Sequence, residues 1–99
     1  MTMRSEAAEA LAVIRECVEA DRVVVLPHFS DSLRARNLMW TDVLAVLEQP
    51  DDVRDGGPET LGRPKWIVAG AGADGQPLEA VCILDTDEHG SVTVFVTIY

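Results

Sequence analysis

Positive charge is what this chain has least of. Eight Lys and Arg face seventeen Asp and Glu, for a net charge of −9 over 99 residues. Binding along a phosphate backbone needs a basic surface, so DNA is excluded as a partner. RNA is compatible only with a local basic pocket, whereas a positively charged protein suits the whole surface. Long hydrophobic runs are also missing, and none approaches the roughly 20 residues needed to cross a bilayer, so no membrane partner is expected. The segment Met1–Ala8 carries an early acid and no apolar stretch of the kind found in secretory leaders, which makes a cytoplasmic location the expectation. Cysteine is scarce too. Cys17 and Cys82 are the two present, and neither sits in a C-x-x-C pair, so both read as buried free thiols rather than as zinc or redox groups.

The familiar cofactor signatures are absent as well. Gly70-Ala-Gly-Ala-Asp-Gly75 holds three glycines but lies between two strand patterns, with no helix following to present amides to a phosphate. Asp85, Asp87, Glu88 and His89 lack the spacing of a calcium loop. No cofactor and no metal are therefore expected.

What remains is the pattern of one small domain spanning residues 1–99. Ala7, Leu11, Ile14 and Val18 repeat at helical spacing and predict an amphipathic helix over residues 5–20. Val23-Val-Val-Leu26 is β-branched enough for a short strand, ended by Pro27. Phe29 and Leu33 share a face of a second helix, with Asn37 as a left-handed C-cap. Thr41 would cap a third helix over 42–49, stopped by Pro50. Residues 51–64 are rich in turn-formers and read as a loop, with at most a short strand near Val53. Trp66–Ala69, Leu78–Leu84 and Val92–Tyr99 then predict a three-stranded meander, with Asp74-Gly75 as a hairpin signal. The fold class is α+β, with N-terminal helices on one face of a C-terminal antiparallel sheet. In the last strand the alternation suggests that Val92, Val94, Val96 and Ile98 cover the helices. Thr93, Phe95, Thr97 and Tyr99 would then form a half-polar open face.

Taken together, these elements resemble the domain-of-unknown-function family 4258, in the broader RelE/BrnT-like group of toxin-related folds. The resemblance runs over residues 8–99. Its pattern is a strand, a histidine, a helix with two arginines four residues apart, a Ser/Thr-started helix and three closing strands. Here His28 stands in the histidine position, Arg36 in that of the second arginine, and Thr97-Ile98-Tyr99 in the tail. Ser32 replaces the first arginine, and Asn37-Leu38 stands where Gly-Ile is usual.

The resemblance implies two functions. One is a metal-independent, toxin-like ribonuclease, which needs a base, a leaving-group acid and a cation for the phosphate. His28 and Arg36 would supply these, with Thr97 and Tyr99 bonding the substrate and Lys65 and Arg63 adding charge. The other is a protein-interaction module of a toxin-antitoxin-like system, acting on a cognate protein partner or as a homodimer. The acidity and Ser32 favour the second. Quieter roles stay open: His28 as a helix cap, Arg36 paired with Asp31 or Asp42, Lys65 guarding an edge strand. The interaction reading predicts an exposed apolar patch, with Trp40, Trp66 or Phe95 as candidates.

Overall fold

The structure is a computed structural model that describes residues 5–99, so Met1–Arg4 of the segment read for a leader lie outside it. In chain order it comprises α1 (Ser5–Glu19), β1 (Val23–Val25), α2 (Pro27–Ala35), α3 (Trp40–Glu48), β2 (Pro50–Pro58), β3 (Pro64–Ala71), β4 (Pro77–Asp87) and β5 (Gly90–Ile98). The strands form one sheet in the order β1-β5-β4-β3-β2. This is the expected α+β class, but the sheet is mixed: β1 runs parallel to β5, with Val24 opposite Val94.

The first two helices end by the same device. Asp21 (φ 58°) and Asn37 (φ 57°) turn into the left-handed region. The next amide in each case bonds back five residues, Arg22 N–H to the Cys17 carbonyl at 2.7 Å and Leu38 N–H to the Leu33 carbonyl at 2.8 Å. These are Schellman closures, in which a short polar residue tolerates the positive φ and the orphan carbonyls are satisfied. Pro27 opens α2 rather than merely ending β1, because its fixed φ suits the first helical position.

At α3 the cap comes from Asp42 and not from Thr41. The Asp42 carboxylate accepts the Met39 N–H at 2.8 Å and, through its other oxygen, the Ala73 N–H at 2.9 Å. One buried carboxylate thus ties the start of α3 to the β3–β4 turn. The far end of α3 is held by Arg15 of α1, whose guanidinium donates to the Leu47 and Glu48 carbonyls at 2.7 Å each.

Two further expectations are corrected. Residues 50–58 form a full strand, β2, antiparallel to β3 with Val53 opposite Val68. Its turn-forming composition reflects an edge position interrupted by two bulges. The second correction concerns β5. Cys82 opposes Phe95 whereas Val81 opposes Thr97, so Val96 is an extra residue in β5, a β-bulge. Thr93 and Phe95 therefore point at the helices, and the bulge brings Ile98 back to that side. Val92, Val94 and Thr97 point away. Aromatic packing fixes the choice: Phe95 lies 5.4 Å from Phe29 and 5.2 Å from Trp40, ring centre to ring centre.

All three helices lie on this one face. The core beneath them joins Leu11, Ile14, Phe29, Val43, Val46, Val68, Cys82 and Phe95.

Candidate functional site

His28 and Arg36 belong to the same helical segment, α2 and its C-cap, and both are exposed. Eight residues at 1.5 Å per residue separate them by about 12 Å along the helix. Asp31 pairs with Arg34 at 2.9 Å and Asp42 is taken up as the α3 cap, so neither holds Arg36. No ion pair of Arg36 occurs among the described residues. It is an unneutralised cation on an acidic molecule.

Thr97 is directed elsewhere. Its partner Val81 alternates with the core residues Ala80 and Cys82, so Thr97 lies on the sheet face opposite α2. Tyr99 pairs with Glu79 through two 2.9 Å backbone bonds and is exposed at the end of β5. The sheet therefore stands between Thr97 and the His28–Arg36 pair.

Arg63 is fully engaged. It donates to Glu59 at 2.9 and 3.2 Å and to Asp85 at 2.7 Å. Glu59 also accepts the Leu61 and Arg63 amides at 2.9 and 3.1 Å, closing the β2–β3 turn around the guanidinium. The hydrogen bond from Arg63, reinforced by these amides, brings the Glu59 carboxyl down to about 2. The same guanidinium, with the Thr86 amide, lowers Asp85. Lys65 lies on the face away from the helices, opposite Ile83, with its stem against Gly56. Like Arg36, it has no ion pair among the described residues.

Trp40, Trp66 and Phe95 do not form an outward patch, since all three pack on the helix side of the sheet. The apolar surface that exists was missed. Ile67 of β3, Val81 and Ile83 of β4, Val94 of β5 and Val24 of β1 adjoin across four strands on the other face. Among the described residues no helix crosses them. Val81, Ile83 and Val94 are only 6–8% exposed, so the centre of this side is buried, and Val24 at the edge is 46% exposed. Ion pairs bound this field, Arg54 with Glu79 at 2.9 Å on one side and Arg63 with Asp85 at 2.7 Å on the other. The alternation Lys65-x-Ile67-x-Ala69 and Glu79-x-Val81-x-Ile83 carried the signal in the sequence.

Burial pushes the Cys82 thiol up to about 12, which leaves no thiolate near neutral pH. No cluster of three or more His, Cys, Asp or Glu suited to a metal occurs among the described residues, and no helix among them is long and apolar enough to cross a membrane.

These features define a class first: an α+β domain with helices on one side of a five-stranded sheet and an apolar field on the other. Residues 25–99 match the family described as domain of unknown function DUF4258, and the chain belongs to that family. No curated protein and no solved structure shows significant similarity to it.

Proposed function

We propose that this chain is a protein-interaction module, of the toxin-antitoxin-like kind that its resemblance to RelE/BrnT-like proteins implies. The observation that carries the reading is the helix-free face of the sheet. Its aliphatic residues run across β3, β4, β5 and β1, accessible at Val24 and in part at Ile67 and bounded by ion pairs, an arrangement suited to a protein partner with an apolar contact and a polar rim. The net charge of −9 favours a basic partner and a cytoplasmic setting suits such a system.

A second reading, a metal-independent ribonuclease, keeps one specific observation in its favour. Arg36 is unneutralised and shares the α2 segment with exposed His28, so the two could engage a phosphate between them without Thr97 or Tyr99.

Induced expression of the isolated chain separates the two. The interaction reading expects unimpaired growth, intact RNA and a captured protein that is lost in the Lys65→Glu/Ile67→Glu variant, whose two sites are partly exposed. Growth arrest relieved by His28→Ala or Arg36→Ala would replace it with the ribonuclease.

A further inference from the structure

The two edges of the sheet are built differently. β2 closes one edge with Pro50 and Pro58 at its ends, Asp51, Asp52 and Asp55 along it, and two bulges. Proline, charge and irregularity are the devices by which natural sheets prevent further pairing. β1 closes the other edge with Val23-Val24-Val25, which has no proline, no charge and no bulge. Its one safeguard is brevity.

The parallel ladder fixes which β1 groups are free. Thr93 N–H bonds the Arg22 carbonyl at 3.2 Å, and Leu26 N–H bonds the Phe95 carbonyl at 3.0 Å. Residues 22, 24 and 26 therefore turn their backbone groups toward β5, so Val23 and Val25 turn theirs outward. Val24 and Val25 are 46% and 38% exposed at this edge, and Val24 lies in line with Val94 on the helix-free face.

We propose that β1 is the docking edge for an extended, basic-flanked strand of a partner protein, which would become a sixth strand beside it. This deepens the interaction reading above and rests on it. The outward amides and carbonyls of Val23 and Val25 supply the strand's main-chain partners, and alternate side chains of the strand extend the aliphatic field past Val24. Charge selects the occupant. Glu19 and Asp21 are exposed just before β1, and the Arg22–Asp87 ion pair brings the exposed Glu88 of the β4–β5 turn to the same end. Arg22 is consumed by Asp87 and by the Ser91 carbonyl at 3.0 Å, leaving this end acidic. A second copy of the chain would bring a further −9 and the same acids to the edge, which disfavours self-pairing.

The test uses a synthetic peptide of alternating valine and threonine with lysines at both ends, a glutamate-ended counterpart, and a backbone N-methylated form of the first. Each is titrated into the full chain, with amide hydrogen exchange read at Val23 and Val25. The lysine-ended peptide should bind at least tenfold more tightly than the glutamate-ended one and slow exchange at both amides at least tenfold. N-methylation should abolish this, and Val24→Lys, a change at an exposed side chain, should weaken binding at least tenfold. Equal binding of the two end charges, or unchanged exchange at Val23 and Val25, would overturn the proposal. If a captured partner is lost in Lys65→Glu/Ile67→Glu while the Val23 and Val25 amides stay unprotected, strand addition fails and the interaction reading stands. Absence of any captured protein would defeat that reading itself.

Discussion

The two faces of the sheet are both apolar, yet they are finished in opposite ways. On the helix side Phe29 of α2, Trp40 of α3 and Phe95 of β5 form a triad with centroids 5.2–6.4 Å apart, Trp40 meeting both phenylalanines edge-on. On the other side the residues are aliphatic, half-buried Ile67 and buried Val81, Ile83 and Val94, with charged pairs at two borders and no helix among the described residues over them. Shape-specific aromatic packing marks the face that must hold one helix arrangement. The aliphatic face carries no aromatic contact of this kind among the described residues. Hydrophobicity alone does not distinguish the two faces; the geometry of what is packed against each does.

The comparison can be broken most forcefully at Phe95. Phe95→Ala should cost about 3–5 kcal/mol in denaturant unfolding, because the void opens under two aromatic neighbours and α2. A cost similar to that of an open-face change would mean that the triad does not hold the helices. Next comes Asp42→Ala, which orphans the Met39 and Ala73 amides; a loss of about 2 kcal/mol is expected in the same measurement. Faster hydrogen exchange at Ala73 would locate the damage to the β3–β4 turn.

A smaller effect is expected from acid. The Glu59 carboxyl is lowered in the fold from 4.5 to about 2, so its stabilisation is complete above about 4.5 and is lost as pH falls toward 2. Thermal melting followed across that window should show a decline that Arg63→Met makes shallower, since the guanidinium is the main cause of the shift. The smallest change belongs to the open edge. Val24→Lys should alter unfolding free energy by no more than about 0.5 kcal/mol, because its side chain already meets solvent. A loss comparable to that of Phe95→Ala would show that Val24 is a core residue and that the edge is not free.

Much of the fold was legible in the sequence, and the exceptions have physical reasons. α1, α2 and the β3–β4–β5 meander follow from periodicity, and Asn37 from its tolerance of positive φ. β2 was hidden because an edge strand defends itself with the prolines, aspartates and glycines that also make loops. The facing of Val92–Phe95 was inverted, while Thr97 and Ile98 face as expected, because both faces of β5 carry apolar residues and alternation leaves the choice to partners far away in the chain; the bulge at Val96 cannot be read from alternation either. The pairing of β1 with β5 is likewise non-local, so the free edge it creates had no local signature. His28 and Arg36 were placed on one helix by local spacing. Thr97 was expected on the side of the sheet away from the helices and lies there, so the sheet itself separates it from His28 and Arg36.

The account's central claim is that the helix-free side of the sheet is where this protein meets its partner. Methyl-resolved NMR of the chain titrated with the lysine-ended peptide addresses it most directly. The account predicts shifts at the methyls of Val24, Ile83, Val94 and Ile67, with Ile14, Val43 and Val46 beneath the helices unmoved. Shifts gathered instead on α2 near His28 and Arg36, with the sheet methyls unchanged, would contradict it.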